Sequence, residues 1–453
     1  MIQKDHWRYN YFSSGFYNGG KRIKQTSFVT EKEAEKAVIV GVQIGTESDW
    51  EAEQTLNELE QLASTAGAEV IDRVSQRLSK PNVRTFIGPG KAEEIFETAK
   101  SAGADIVFFD VDLSPSQQKN LEDIMTNIKI LDRTGLILDI FAQHARSAEG
   151  KLQVELAQMN YILPRLKGMW GHLERLSGGI GTRGPTRGPG ETQLESDKRM
   201  IRKSIQRLTN EIEELKKNRA VQRQRRQKQG IFNVSLVGYT NAGKSTLLNA
   251  LTGAGVLVED KLFATLDSTT RKLSVAHRKE VVLSDTVGFI KKLPHQLVAA
   301  FRSTLDEVRM ADLLLHVVDA GHPRMEGQIK AVEDVLAKLD ADEKPQILLF
   351  NKIDLLDDAD LERIKRVYPG SVLVSALKGT GLEGIQEAIE RELRKRTVRL
   401  HLLIPYTKGA FLQRLYGTGT IISETHTAEG TELVVDMPEG DLDEYAQFEH
   451  GGS

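Results

Sequence analysis

Residues Ile231 to Leu251 read IFNVSLVGYTNAGKSTLLNAL, and this stretch decides the fold of the middle of the chain. An apolar run, IFNVSLVG, passes into Gly238, Tyr239, Thr240, Asn241, Ala242, Gly243, Lys244, Ser245 and Thr246, and the helix-forming TLLNAL follows. The two glycines, the lysine and the hydroxyl stand at the fixed spacing of a phosphate-binding loop, and strand, loop and helix in that order give the pattern physical sense. Glycine lets consecutive backbone N–H groups point at phosphate oxygens, and the positive end of the next helix adds field. The spacing predicts that Lys244 reaches the terminal phosphates and that the Ser245 hydroxyl ligates magnesium. Alone, it implies a nucleoside triphosphatase of unspecified base.

Three further motifs narrow this. In VVLSDTVG, Asp285 is expected to hold magnesium through water. Thr286 and Val287 lead to Gly288, whose N–H can bond the terminal phosphate and release it after hydrolysis. Between the two motifs lies LFATLDSTTRK, where a threonine has to close over the phosphate and ligate the metal. Within Phe263, Ala264, Thr265, Leu266 and Asp267 the candidate is Thr265; Thr269 and Thr270 remain open, and they read equally well as polar residues that open a strand. Asn351, Lys352, Ile353 and Asp354 follow the apolar PQILLF, so they sit where a strand ends. The Asp354 carboxylate can accept two N–H bonds from guanine that adenine cannot supply, and the wrong base would leave it unpaired. Lys352 should lie along the base, Asn351 should tie this loop to the phosphate loop, and Ser375, Ala376 and Leu377 offer a backbone N–H to the guanine carbonyl. Four motifs in order point to GTP, magnesium and a Ras-like P-loop domain.

Lys244, Gly288 and Asn241 are the candidate catalytic residues. In Ras-type enzymes a glutamine that orients the attacking water follows the DxxG glycine. Here that position is Phe289, so intrinsic hydrolysis is expected to be slow and to need a partner or another residue. Asn241 has two readings: it coordinates a potassium ion that stands in for an arginine finger, as asparagine does there in some related GTPases, or it braces the loop.

With 453 residues the chain has room for roughly three domains of ~150 residues. Its 61 Lys and Arg against 64 Asp and Glu, a net charge of -3, give no global reason to expect nucleic-acid binding. There are no cysteines, which excludes disulfides and thiolate metal sites and fits a reducing cytosol. No apolar run approaches the ~20 residues of a membrane span, so a soluble, cytoplasmic protein is expected, and nothing suggests more than a monomer.

The pattern predicts α/β architecture in five parts. Residues 1–36 read as a tail. Residues 37–146 alternate strands and helices into a small α/β domain with a largely parallel sheet: strand AVIVGVQ, helix Asp49 to Ala66, strands AEVIDRV and TFIGPG, helix Lys91 to Ala102, strand ADIVFFD, helix PSQQKNLEDIM and strand KILDR. Its GPGK is better explained as a turn into a helix than as a second phosphate loop. Residues 147–230 predict a helical hairpin, because Leu152, Leu156, Met159, Leu163 and Leu166, and then Ile201, Ile205, Leu208, Ile212 and Leu215, repeat at 4-3-4-3 spacing. Residues 231–397 form the nucleotide domain. Residues 398–453 read as a small α+β domain of two or three strands and a helix, with nine acidic and no basic residues from Thr420 to Glu449.

The hairpin connection, SGGIGTRGPTRGPGE, holds six glycines, two prolines, Arg183 and Arg187, and has almost nothing to bury. Beyond it, Glu191 to Gly230 carries 12 Lys or Arg against 6 Asp or Glu, a net of +6 that includes Lys198, Arg199, Arg202 and Lys203. A solvated helix face would explain the charge alone. Loop and helix together favour RNA, whose binding rests on phosphate neutralisation.

The order of parts resembles the HflX family of ribosome-associated GTPases from about Ala37 to Ile404. The strings that carry the resemblance are FIGPGKAEEI, LDRTGLILDIFAQHA, KLQVELAQMNYILPRL, GGIGTRGP and RGPGETQLE, with GYTNAGKSTLLNAL, FATLD, DTVGFI, NKID and SAL in the nucleotide domain. One departure is visible: GTRGPTRGPGE is four residues longer than the compact form GTRGPGE. The resemblance implies binding to the large ribosomal subunit and its rRNA, with the loop directed towards the peptidyl-transferase centre, and splitting of stalled or stressed ribosomes by the GTP-bound protein. Two alternatives stay open: a large-subunit assembly GTPase, and an RNA-remodelling nucleoside triphosphatase whose amino-terminal domain also uses ATP, although no second phosphate loop appears in residues 1 to 230.

Overall fold

The computed structural model describes residues 34–45, 48–166, 193–228, 231–253, 261–266, 269–275, 279–292, 305–395, 397–438 and 442–450. Two compact units divide the chain. The first comprises Met1–Leu215 with Glu259–Asp267 and Lys292–Ser303; the second comprises Lys216–Val258, Ser268–Lys291 and Thr304–Ser453.

In the first unit, β1 (Lys36–Ile44), α1 (Asp49–Thr65), β2 (Glu69–Leu78), α2 (Pro89–Ala102), β3 (Ile106–Phe109), α3 (Pro115–Ile124) and β4 (Lys129–Asp132) alternate. The four strands are all parallel in the order β2-β1-β3-β4. Strands covered by helices on both faces need continuous apolar runs, and Ile106 to Phe109 are all buried. The core packs Val38, Val40, Val107, Phe109 and Ile130 against Ile95 and Leu121. Local chemistry sets the helix ends. Ser48 accepts from the Glu51 N–H and the Glu51 carboxylate accepts from the Ser48 N–H, a reciprocal cap repeated by Ser114 and Gln117. Gly88 precedes α2 with Pro89 at its first turn, and the left-handed Gly103 ends it, so GPGK is a helix start.

The strand expected at TFIGPG is not one. Asn82 and Phe86 form an isolated bridge closed by two backbone bonds, and Asn82 Oδ1 accepts from the Arg84 and Thr85 N–H groups. An asparagine that binds the backbone two and three residues on folds the chain into a turn before α2. The last strand also stops at Asp132, which caps α4 (Arg133–His144).

Helices α5 (Ala148–Ile162) and α6 (Gln193–Lys228) lie where the hairpin was expected, and an Arg207–Glu155 contact of 3.9 Å joins them. On α5 the expected stripe is only part of the buried face. Met159 and Leu166 are buried and Leu152, Leu156 and Leu163 half-buried, while Val154, Ala157, Tyr161 and Ile162 are buried as well. The helix buries a broad face, part of it against α4, instead of a narrow seam. On α6 the stripe holds better: Ile201, Leu208 and Ile212 are buried, Ile205 and Leu215 half-buried. The Gly/Arg-rich connection, with Arg183 and Arg187, lies outside the described residues.

The second unit holds a six-stranded sheet made by β5 (Phe232–Gly238), β6 (Thr269–Val275), β7 (Lys279–Asp285), β8 (Leu313–Asp319), β9 (Gln346–Asn351) and β10 (Val372–Leu373) in the order β10-β9-β8-β5-β7-β6. Only β6 is antiparallel. Helices α7 (Lys244–Thr252), α8 (Asp306–Met310), α9 (Met325–Lys338), α10 (Asp358–Val367) and α11 (Leu382–Lys395) accompany it. Phosphate-loop strand β5 stands between β7 and β8, so the carboxyl ends of three buried strands converge on one edge, where ligands bind in such sheets. Beyond it, β11 (Thr397–Ile404), β12 (Thr420–His426) and β13 (Thr431–Pro438) pair antiparallel in the order β11-β13-β12, with α12 (Gly409–Thr418) and a short α13 (Leu442–Tyr445) over a core of Leu402, Leu415, Val435, Met437 and Tyr445. The mixed α/β architecture read from the sequence is thus present. Among the described residues no helix is long and apolar enough to cross a membrane.

Candidate guanine-nucleotide site

The phosphate loop turns between β5 and α7 at two glycines that nothing larger can replace. Gly238 has φ +154°, and a Cβ there would come within 2.2 Å of the Val317 carbonyl oxygen. Gly243, with φ +91°, leads into α7, and its Cβ would stand 2.3 Å from Asn351 Nδ2. Asn351 therefore passes through space that only glycine leaves open. Its Nδ2 donates to the Ala242 carbonyl at 2.8 Å, and its Oδ1 accepts from the Ala376 N–H at 3.0 Å. The first loop, NKID and SAL are braced by one side chain.

Lys244 is buried, and its Nζ donates to the Gly238 and Tyr239 carbonyls at 3.1 and 2.7 Å. Burial pulls its pKa down to about 8, and the Asp285 carboxylate opposes that fall. Ser245 Oγ donates to Asp285 Oδ2 at 2.6 Å. Burial pushes Asp285 up, against the pull of Lys244 and the Ser245 and Thr286 bonds. Its Oδ1 is buried with no hydrogen-bond partner. A hydroxyl beside a carboxylate with one unclaimed oxygen suits a small oxygen-seeking dication, so Ser245 and Asp285 fit magnesium.

The DTVG segment is zipped to the phosphate loop. Thr240 N–H donates to the Phe289 carbonyl at 2.7 Å and Phe289 N–H donates to the Gly238 carbonyl at 3.0 Å. Lys291 N–H donates to Tyr239 Oη at 2.7 Å, and Thr286 Oγ1 donates to the Leu236 carbonyl. Gly288 lies so close to the loop that a Cβ would approach Thr240 Cα at 2.8 Å and Lys244 Nζ at 3.0 Å. Val287 and Phe289 are both buried, and a phenyl ring 1% exposed cannot orient a water. Asn241 is exposed, with φ +61°. Thr246 is half-buried on the first turn of α7.

At the base end, Lys352 stands in the left-handed region at φ +65°, and its Nζ lies 2.7 Å from Asp319 Oδ2. Ser375 Oγ donates to Asp354 Oδ1 at 2.6 Å, the main reason the carboxyl lies below its ordinary range. Ile353 is half-buried, and Leu377 is 81% exposed.

The remaining candidates fall in two groups. Phe263, Ala264, Thr265 and Leu266 belong to the first unit, with Phe263 and Leu266 buried; Asp267 is outside the described residues. Thr269 and Thr270 open β6, and Thr270 Oγ1 is 3.2 Å from Ser284 Oγ.

Three family models match, in the order of the parts described. "GTP-binding GTPase N-terminal" covers residues 53–142, "GTP-binding GTPase Middle Region" covers 144–226, and "50S ribosome-binding GTPase" covers 233–352. A protein named GTPase HflX from Caldanaerobacter subterraneus subsp. tengcongensis is 51% identical over 406 residues, 90% of this chain and 92% of that one. The chain belongs to the HflX family of GTPases. Escherichia coli GTPase HflX is 46% identical over 407 residues, covering 89% of this chain and 94% of that one. A solved GTP-binding protein from the archaeon Sulfolobus solfataricus, in complex with GDP, is 25% identical over 80% of this chain and 99% of that one, at a TM-score of 0.41.

A HflX-family GTPase is a GTP hydrolase. Two groups near the motif residues belong to no motif. Asp319, at the end of β8, pairs with Lys352. His316 on β8 is 1% exposed, and burial, then the Lys244 charge, pulls its pKa down to about 4. Its only signal was a polar residue inside the apolar LLLHVVD. On α6, Arg199, Arg202 and Lys203 are exposed, while Lys198 is half-buried and 4.0 Å from Glu195.

Proposed function

We propose that this HflX-family chain binds the large ribosomal subunit in its GTP state, dissociates stalled or stressed ribosomes, and leaves when GTP is hydrolysed. The observation that carries this reading is the buried Phe289 at the place where a water-orienting glutamine would stand. A nucleotide site without its own water-positioning group suits a timer completed by a partner. The exposed Arg199, Arg202 and Lys203 supply a surface for rRNA phosphates, and the Gly/Arg-rich loop with Arg183 and Arg187 is proposed to reach towards the peptidyl-transferase centre.

In the proposed reaction the amides of the phosphate loop and the Lys244 ammonium hold the β- and γ-phosphates. Phosphate contact displaces Lys244 from the Gly238 and Tyr239 carbonyls, which it caps in this structure. Ser245 and Asp285 would hold magnesium, with Thr265 joining them in the triphosphate state, and the ion would supply positive charge to offset that of the phosphates. Gly288 N–H bonds the γ-phosphate, and its loss on hydrolysis frees the DTVG segment. Asn241 is proposed to coordinate potassium in place of an arginine finger; equal turnover in sodium and potassium chloride would remove that assignment. The protein is proposed to act as a cytoplasmic monomer.

The test is sedimentation of purified ribosomes with the protein and a non-hydrolysable GTP analogue. The expected profile shows free subunits with the protein on the large one. Binding to large subunits without loss of intact ribosomes would replace splitting with an assembly role.

A further inference from the structure

Asp319 closes β8 where Asn351 closes β9, and the two are register partners in the parallel pair. The Ala320 N–H donates to the Asn351 carbonyl at 2.9 Å, so the strands stay joined to their last residues. On the β9 side the chain then turns sharply. Lys352 takes φ +65° and ψ +32°, a left-handed backbone that a lysine rarely adopts. Its neighbours hold it there. The Asn351 side chain bonds the Ala242 carbonyl and the Ala376 N–H, and the Ile353 N–H donates to the Val374 carbonyl at 3.3 Å. From that backbone the lysine side chain reaches the end of β8, where its Nζ lies 2.7 Å from Asp319 Oδ2.

The Asp319 carboxylate is itself set in place. Its Oδ1 accepts from the Gly321 N–H at 3.1 Å, so one oxygen holds the turn after β8 while the other holds the ammonium. The side chains of Lys352 and Asp319 are 29% and 16% exposed, so the pair is largely shielded and attracts more strongly than one on an open surface. Ser375 orients Asp354 at the other end of the same four-residue motif. Both charged groups of NKID are thus held by a residue outside it.

We propose that Asp319 is a positioning residue for guanine-nucleotide binding. Through its bridge to Lys352 it orders the platform along which the base lies, and it does so equally for GTP and GDP. This rests on the reading of NKID as the base-recognition motif. A lysine stem is long and flexible, and laying it along a base costs entropy. A salt bridge that holds the ammonium before the nucleotide arrives meets that cost in advance. A base seated over the stem excludes water from the pair and strengthens it, so pair and nucleotide favour one another. Asp319 therefore contributes to affinity and not to the chemical step.

A double-mutant cycle in the full chain tests this, with GDP and a non-hydrolysable GTP analogue as ligands in isothermal titration calorimetry. Asp319→Asn keeps an oxygen for the Gly321 N–H and removes the charge. It weakens both ligands about tenfold, the scale of ordering one long side chain, and leaves kcat unchanged while KM for GTP rises. Lys352→Met keeps the stem, removes the ammonium and also weakens both. The double variant binds no more weakly than Lys352→Met, because the second change has no bridge left to break. Effects that multiply overturn the proposal, since Asp319 would then act apart from Lys352. So does an Asp319→Asn chain that binds like the unaltered protein, or one that loses kcat at unchanged affinity. Should Lys352→Met bind both ligands as tightly as the unaltered protein, the reading of NKID falls and the proposal with it. Far-ultraviolet circular dichroism checks that each variant is folded, and Asp319→Ser takes its place in the cycle if the asparagine chain is not.

Discussion

Asp354 is proposed to read the guanine edge with a carboxylate already oriented by Ser375. Asp354→Asn turns one acceptor into a donor, so GTP affinity should fall at least about 100-fold, while xanthosine triphosphate, which has a carbonyl where guanine has its amino group, should gain. Competition binding with the two nucleotides measures both; unchanged preference would move base recognition elsewhere. His316 gives a prediction with a definite sign. Its folded pKa of about 4 lies below its ordinary 6.5, so between those values the unfolded chain binds the extra proton and stability falls as pH falls. The full effect is about 3 kcal/mol. Asp285 and Asp132, both raised by burial, act with the opposite sign, so the readout is the slope of stability against pH from 6.5 to 4 in the unaltered chain and in His316→Leu. The leucine variant should have the shallower fall. The motif residues were legible because phosphate, metal and base each demand particular atoms at particular spacing. His316 was not, since an apolar strand identifies its buried positions but not which strand lies beside the phosphate loop.

At the scale of elements, α6 reads as two faces. Ile201, Leu208 and Ile212 are buried, while Arg199, Arg202 and Lys203 stay exposed. If the exposed face meets rRNA phosphate, replacing all three with alanine should weaken binding to large subunits and lower the slope of log affinity against log salt by up to about two to three, roughly one per lost contact. Filter binding across a salt series measures this; a parallel line would make the face merely solvated. Periodicity gave α6 correctly because that helix has a polar side. On α5 it found only part of the buried face, because Val154, Ala157, Tyr161 and Ile162 are buried alongside Met159 and Leu166 of the expected stripe and no single heptad marks that face. The TFIGPG segment misled for a related reason: its aromatic and β-branched residues suit a strand, but Asn82 closes the chain on itself with side-chain bonds that no propensity records.

For the whole molecule, the central issue is why a chain with a well-formed phosphate site should wait. Gly288, Lys244, Ser245 and Asp285 are in place within hydrogen-bonding or contact distance of one another, yet the residue after Gly288 turns its ring into the core. On the proposed reading, positioning of water is the missing component, and a ribosomal surface supplies it when the protein is seated. Turnover of GTP by the free protein should accordingly be slow, and saturating large subunits should raise kcat by at least about 100-fold, within the range a partner-supplied group confers on related sites. Because the partner acts on the step and not on nucleotide binding, KM for GTP should change far less than kcat. Steady-state phosphate release with and without large subunits distinguishes the cases. A rapid rate in the free protein would show that some residue of this chain already orients the water, and Asn241 with potassium would be the first place to look.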